Sequence, residues 1–259
     1  MNYRQVTSIY FSPTESTKGI VEWIASEFPG AHESLDLTEV SKSRPDYTFR
    51  EDEVVLVGVP VYGGRIPAAS IERFKKLHGR QTPVILIVVY GNRAYEDALL
   101  ELKDVMTAQG FRPAAGIAAI AEHNIAHGVA VGRPDAQDRA CLKAFGQEAV
   151  KRLASVRSNY ELPELFVKGN VPYKVSGSMP MKIKVSSSCN ECGTCIRKCP
   201  VQAISRTDAK ITDEGRCIHC MRCVKVCPQN ARKLGFFMQF AVDKKMKKLC
   251  AQRREPELF

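Results

Sequence analysis

The chain has 259 residues, of which 44% are hydrophobic and 25% are charged, values typical of a globular protein with a packed core. No apolar run approaches the length of about 18 residues that a membrane-spanning helix needs. The first residues resemble a buried strand more than a secretory signal, and we therefore expect a cytoplasmic protein. The formal net charge is +10, but no known nucleic-acid-binding motif accompanies it, so nucleic acid is not an expected partner.

The first 155 residues alternate between strand-like and helix-like patterns. Such alternation predicts an α/β fold with a doubly wound, five-stranded parallel sheet covered by helices on both faces. The predicted strands are Val6–Phe11, His32–Leu37, Val54–Val61, Val84–Tyr90 and Ala114–Ala121. The predicted helices are Ser16–Phe28, Ile66–Leu77, Arg93–Gln109 and Pro134–Ser155.

Three loops follow predicted strands, at the edge where an open α/β sheet binds its ligand. The first offers hydroxyl groups before a helix, which suits a phosphate or a simple helix cap. The second has paired glycines that permit close approach of a flat ligand, and the second and third offer tyrosines for stacking or for the core. The candidate ligand-binding residues are Ser12, Thr14, Ser16, Thr17, Pro60, Val61, Tyr62, Gly63, Gly64, Tyr90, Gly91, Asn92 and Tyr95.

Beyond residue 155 the organisation changes. Frequent proline and glycine predict a linker over residues 156–184. Residues 185–234 contain eight of the ten cysteines and predict a small α+β domain. Residues 235–259 form a basic tail that we predict to be helical, packed through the aromatic residues Phe236, Phe237 and Phe240.

Charge is distributed unevenly along the chain. Residues 1–167 carry 19 Lys and Arg against 21 Asp and Glu, whereas residues 168–259 carry 19 against 7. A basic surface attracts acidic proteins, anionic substrates or anionic membranes. We therefore expect redox partner proteins of acidic character, and peripheral contact with a membrane is a further expectation for the tail.

The cysteines form two runs with the same spacing, C-x2-C-x2-C-x3-C-P. A disulfide scaffold is the first alternative, but such scaffolds belong to small secreted chains. Zinc is the second alternative, and it usually takes two separated CxxC pairs. The observed spacing is that of bacterial two-cluster ferredoxins, in which the fourth cysteine of each run binds the other cluster. It predicts two [4Fe–4S] clusters, one held by Cys189, Cys192, Cys195 and Cys227 and the other by Cys217, Cys220, Cys223 and Cys199.

These motifs carry a family resemblance. Residues 1–155 resemble a flavodoxin, with Ser12–Thr17 similar to its phosphate loop and the segments PVYGGRIP and YGNRAYEDAL similar to the loops that bracket its flavin. The whole chain is similar to flavodoxin–ferredoxin fusion proteins. The resemblance implies an FMN-binding domain over residues 1–155, in which Gly63 and Gly64 lie near flavin N5.

Glu15 departs from the flavodoxin pattern, which commonly has glycine there. A carboxylate beside a phosphate costs affinity unless it points to solvent. A ferredoxin whose flavodoxin-like domain binds no flavin is therefore one alternative.

The expected function is electron transfer through FMN and two [4Fe–4S] clusters, coupling one- and two-electron steps. A flavoenzyme that reduces a small molecule is another alternative, with His123 and His127 as candidate acids. No GxGxxG follows a strand, so the sequence predicts no dedicated nicotinamide-binding motif. Oxygen-sensitive clusters suggest an anaerobic or low-oxygen setting.

Overall fold

A computed structural model describes residues 3–40, 46–175 and 181–259. The chain forms ten strands and seven α-helices in these ranges. The strands are β1 Gln5–Tyr10, β2 Ala31–Asp36, β3 Tyr47–Phe49, β4 Glu53–Pro60, β5 Leu77–Gly79, β6 Pro83–Tyr90, β7 Arg112–Ile120, β8 Ile183–Val185, β9 Arg232–Leu234 and β10 Glu257–Leu258. The helices are α1 Ser16–Ala25, α2 Ala68–Phe74, α3 Ala98–Ala108, α4 Ala136–Ala154, α5 Thr194–Lys198, α6 Arg222–Lys225 and α7 Phe236–Leu249.

The main sheet has the order β10-β7-β6-β4-β1-β2. Five of its strands are parallel, and without β10 their order is the 2-1-3-4-5 order of the flavodoxin-like fold. Strands β4 and β6 are apolar and buried along nearly their whole length, as expected for central strands covered on both faces. The predicted flavodoxin-like sheet is confirmed.

Helices cover both faces of this sheet. Helix α1 buries Ile20, Val21 and Ile24 in the core it shares with α4. Helices α2 and α3 close the opposite face with Phe74, Leu99 and other apolar side chains. This packing fixes the loops after β1, β4 and β6 at one edge of the sheet.

The end of the chain returns to the first domain, which the sequence does not predict. Strand β10 pairs antiparallel with β7, and Phe259 exchanges two backbone hydrogen bonds with Gly116. The prediction of a helical tail therefore holds only for α7.

The predicted packing of the tail through its aromatic end is wrong. Phe236, Phe237 and Phe240 are exposed, and α7 instead buries Val242 beside Met238 and Met246. The physical reason is helical phase, because the aromatic residues lie on the opposite face of the helix from these three side chains.

The predicted linker lies against the first domain in its described part. Leu165 and Val167 pack on the core, and Asp97 accepts hydrogen bonds from the backbone N–H groups of Asn170 and Lys174. Residues 176–180 of the predicted linker lie outside the described residues. The second part of the chain pairs β8 with β9 and adds α5 and α6, the small α+β arrangement that was predicted. None of the described helices is long and apolar enough to cross a membrane.

Gly58 provides a test of this packing. A Cβ atom there would lie 2.2 Å from Val21 Cγ2 and 3.0 Å from Thr17 Cγ2, at the junction of β4 with α1. We expect Gly58→Ala to lower the free energy of unfolding by about 1–3 kcal/mol because the site is overpacked. The control is Gly19→Ala on helix α1. A Cβ atom there meets nothing within 4 Å, and helix propensity favours alanine by roughly 0.5–1 kcal/mol. Thermal unfolding checks both variants, and equal midpoints would contradict the packing described.

Candidate functional site

The eight predicted cluster ligands fall into two groups around two cavities. Three cysteines of the first run and the last cysteine of the second run line one cavity, which we call site one. Three cysteines of the second run and the last cysteine of the first run line the other, which we call site two. The lining thiols are Cys189, Cys192, Cys195 and Cys227 in site one, and Cys217, Cys220, Cys223 and Cys199 in site two.

The backbone of the two runs repeats with an offset of 28 residues. Left-handed residues recur at matching positions, at Glu191 and His219, at Gly193 and Met221, and at Gln202 and Asn230. These turns bend each run around its cavity, because left-handed residues redirect the chain sharply.

A hydrogen bond from a backbone N–H group to the last cysteine also occurs in both runs. Ala203 N–H donates to Cys199 Sγ, and Ala231 N–H donates to Cys227 Sγ, both at 3.3 Å. Backbone donors of this kind stabilise thiolates and tune cluster potentials.

Burial differs between the two sites. Cys220 is buried, and desolvation raises the pKa of its thiol to about 12. Cys192 is exposed, and a hydrogen bond with the Thr194 hydroxyl group lowers the pKa of its thiol. Cys195 of site one is buried as well, but of the eight thiols only Cys192 is exposed, so we call site two the inner site and site one the outer site.

The lining of each cavity suits an iron–sulfur cluster. Each set of four thiols surrounds its cavity, and soft thiolates suit iron–sulfur clusters. The residues present thus fit the two [4Fe–4S] clusters.

The loop after β1 has the features of an anion site. Helix α1 begins at Ser16, and within the described residues the N–H groups of Thr14, Ser16 and Thr17 have no hydrogen-bond acceptor. Free N–H groups at the start of a helix bind phosphate well. Ser12 shapes the loop, since its Oγ accepts from Lys18 N–H at 3.0 Å.

Glu15 occupies a left-handed position in this loop, with φ of 71°. This conformation favours glycine, which is the residue the flavodoxin resemblance implies there. The Glu15 carboxylate is half exposed and accepts a hydrogen bond from Arg222 at 3.2 Å. An arginine from the cysteine-rich segment thus offsets part of the negative charge beside the free N–H groups.

The loop after β4 is held firmly in place. Pro60 ends β4, and Val61 N–H donates to Val89 O at 2.8 Å. Gly63 and Gly64 both have positive φ, and a Cβ atom on Gly64 would collide with the Glu96 carboxylate. The half-buried Tyr62 has a hydroxyl pKa well above its ordinary value because of burial, with a further rise from nearby Cys220.

The loop after β6 packs under the C-terminal tail. Asn92 is buried and bonds through its side chain to the backbone of Cys250, Gln252 and Arg254. Tyr95 lies in the core, where its ring contacts Tyr90 edge-on and its hydroxyl group donates to Glu257. Both residues thus already have partners within the chain.

Gly91, in the same loop, has a different constraint. A Cβ atom there would lie 2.6 Å from His123 Cδ2. His123 is itself engaged, since its Nδ1 accepts from the N–H groups of Ile125 and Ala126, and burial lowers the pKa of its ring. His127 is exposed in the same connection.

Residues around site two lie directly on the first domain. Arg222, only 4% exposed, donates to Glu39 Oε1 at 2.9 Å and to the carbonyl oxygen of Pro13 at 2.9 Å. Lys198 donates to the same Glu39 oxygen at 2.7 Å. We call Arg222, Lys198 and Glu39 the junction triad.

Further contacts extend this junction. Arg73 donates to the carbonyl oxygens of Leu37 and Pro200, and Ile218 packs on the apolar core of the first domain. Val61 of the paired-glycine loop packs against the same apolar core as Ile218, and the Cys220 thiol raises the pKa of the neighbouring Tyr62 hydroxyl group. The phosphate-type loop, the paired-glycine loop and site two therefore meet at one place.

Sequence reasoning missed Arg222, Glu39 and Lys198. The sequence signal for this junction is a difference between the repeats at Arg222, which occupies the position of Thr194 in the first run. A charged residue in one repeat and a small hydroxyl in the other suggests that only the second run faces a charged surface.

Comparison with known proteins supports the second part of the chain directly. Residues 188–232 match the family model of the 4Fe-4S dicluster domain. Among curated proteins, none matches the chain. The predicted ferredoxin-type segment is thereby confirmed, and the flavodoxin-like part follows from the strand order.

Among solved structures, flavodoxins are similar to this chain at low identity. A flavodoxin from the domain Archaea is 11% identical, with a TM-score of 0.39, covering 58% of this chain and 99% of that one. A flavodoxin of Streptococcus pneumoniae TIGR4 is 14% identical, with a TM-score of 0.38, covering 59% and 99%. A Fusobacterium nucleatum flavodoxin bound to flavin mononucleotide is 14% identical, with a TM-score of 0.39, covering 58% and 97%.

The junction triad yields a double-variant test. Arg222→Met removes one of the partners of the buried Glu39 carboxylate. We expect the free energy of unfolding to fall by about 3 kcal/mol. Adding Glu39→Gln should restore part of it, with a coupling energy of about 1–3 kcal/mol. Anaerobic thermal unfolding measures the midpoints of the singles and the double.

The matched control is the exposed pair of Lys75 and Glu72, whose charged atoms are 2.8 Å apart. The corresponding variants Lys75→Met and Glu72→Gln should each change stability by less than about 1 kcal/mol. Strictly additive effects of Arg222→Met and Glu39→Gln would contradict a buried junction.

Proposed function

We propose that this protein is an electron carrier that uses FMN and two [4Fe–4S] clusters to couple one- and two-electron steps. The observation that supports it best is the junction, where the inner cluster site lies against two of the three predicted flavin loops. The iron–sulfur segment already supports electron transfer in general. The proposal adds a bound flavin and its position beside site two.

In this proposal the loops after β1 and β4 form the cradle for FMN. The N–H groups of Thr14, Ser16 and Thr17 would hold the phosphate, with hydroxyl groups of the same loop beside them. The loop of Tyr62, Gly63 and Gly64 would contact the ring system, since glycine lets the backbone approach closely. When bound, FMN supplies one- and two-electron redox chemistry.

The third predicted loop has a supporting role in this proposal. Asn92 and Tyr95 fix the tail against the loop, so they would shape the site through the backbone of Gly91 and not through their own side chains. Tyr90 supports Tyr95 from the end of β6.

The iron ligands in this proposal are the two sets of four thiols already grouped by the cavities. The buried site two would face the flavin, and the exposed site one would face redox partners. Cys192, at the surface, has Arg197 beside it, whose Nη1 donates to the Cys192 carbonyl oxygen at 3.1 Å. A basic group beside the outer site favours a partner of acidic character.

Helix α7 offers a second contact surface for partners. Its exposed side carries Phe236, Phe237 and Phe240 at the beginning and Lys244, Lys245, Lys247 and Lys248 further along. Exposed aromatic side chains together with lysines suit an acidic protein or an anionic membrane surface. The compartment in this proposal is the cytoplasm, where cysteine thiols are kept reduced.

The direct test is the cofactor content of anaerobically purified protein. We expect about eight iron and eight acid-labile sulfide per chain from two cubane clusters, together with one FMN. Iron and sulfide without flavin, even after FMN is added, would refute the flavin and leave a ferredoxin with an attached binding domain. Turnover of a small molecule without any protein partner would favour the flavoenzyme alternative.

Glu15→Gly tests the phosphate loop separately. Glycine fits the left-handed position, and the change removes a carboxylate and frees Arg222 to face the phosphate. We expect FMN to bind roughly fivefold more tightly, from about 1 kcal/mol of relieved repulsion. Flavin fluorescence titration of the apoprotein measures the dissociation constant.

The control for that variant is Glu191→Gly, at a left-handed glutamate of similar exposure beside site one. It makes the same chemical change away from the phosphate loop and should leave FMN affinity unchanged. Equal effects of the two variants would count against phosphate binding at Ser12–Thr17.

A further inference from the structure

Arg232 is a buried arginine between the two cluster sites. It lies on β9 and is only 2% exposed. Its Nη2 donates to Thr212 Oγ1 at 2.8 Å, and its Nη1 donates to the Ala209 carbonyl oxygen and lies 3.7 Å from Cys195 Sγ. The side chain also lines the cavity of site one.

The positive charge of Arg232 has no carboxylate partner among the described residues. Its contacts are neutral groups and a thiol, and its buried Nε has no hydrogen-bond partner in the part of the chain that the structure describes. A buried, unpaired guanidinium is costly unless a negative group lies nearby. The thiol sets of the two sites are the negative groups that the surroundings offer.

Arg232 acts on both sets of thiols. Cys195 belongs to site one and is in contact with it. On the other side, Cys199 and Cys223 of site two pack against the buried cluster of Cys195, Ile204 and Ala209. Arg232 is bonded to that cluster through the carbonyl oxygen of Ala209. A [4Fe–4S] cluster with four thiolates is an anion, and it becomes more negative by one charge on reduction.

The internal repeat shows that this arginine is not required by the fold of a cysteine run. The position 28 residues earlier is Ile204, which is buried in an apolar cluster with Cys195 and Ala209. The two runs share backbone turns and amide–sulfur bonds, yet one has isoleucine and the other arginine at this place. The buried charge is therefore specific to the second run.

We propose that Arg232 is a shared counter-charge for both clusters, which raises the reduction potential of each. The proposal rests on the two clusters of the proposed function but not on FMN. A permanent buried charge stabilises the added electron on either cluster, and it is screened far less by salt than surface charges are.

The test compares Arg232→Ile, which copies the first repeat, with Arg232→Gln and Arg232→Lys. The potentials of both clusters are measured by anaerobic reductive titration monitored by EPR, with iron and sulfide counted on the same samples. We expect both potentials to fall in the isoleucine and glutamine variants and to fall less in the lysine variant. The control is Arg206→Gln, an exposed arginine of the same segment, which should leave both potentials nearly unchanged at physiological salt.

Unchanged potentials in a neutral variant that retains eight iron would overturn the proposal while leaving the proposed function intact. A fall at one cluster only would also overturn the shared role. If Arg232→Ile loses its clusters, Arg232→Gln and Arg232→Lys still decide, because they retain a polar group for Ala209 and Thr212. Loss of iron in the wild-type protein would instead refute the proposed function.

Discussion

The contact on which the arrangement depends is the buried guanidinium of Arg222. One side chain bonds to the backbone of the phosphate-type loop, to the Glu15 carboxylate and to the buried Glu39. Because Arg222 directly precedes Cys223, a predicted cluster ligand, the same contact fixes site two relative to the first domain. Removing only one partner of a buried charge pair is costly because the other charge is left uncompensated, so the junction defines one orientation of the two halves.

The two cysteine runs show how a duplicated backbone acquires two different environments. Left-handed turns and amide–sulfur bonds are the same in both, since any run of this spacing must wrap its ligands around a cluster. The side chains differ where surroundings differ, with Thr194 replaced by Arg222 at the junction and Ile204 replaced by Arg232 between the sites. Asymmetry of this kind makes one site inner and the other outer without changing the ligands.

Much of this could be predicted from sequence because the signals are local. Apolar runs such as Val84–Tyr90 give the central strands, and fixed cysteine spacing gives the thiol sets. The sheet partner of the tail could not be predicted, since Glu257–Leu258 is too short to carry a periodic signal. The junction was also invisible, because Arg222 and Glu39 are 183 residues apart and pair only through the folding of both domains. The aromatic residues at the start of α7 led to a wrong prediction although their signal is local. Apolar composition alone does not say which face of a helix is buried.

The most direct test of the account is the magnetic interaction between flavin and cluster. EPR of the anaerobic protein with FMN reduced by one electron measures the spin relaxation of the flavin, first with the clusters oxidised and then with them reduced. If site two lies against the flavin loops, relaxation becomes much faster when the clusters are reduced. The same relaxation rate in both states, in protein that contains one FMN and eight iron, would show that the two cofactors are far apart and would contradict the junction described.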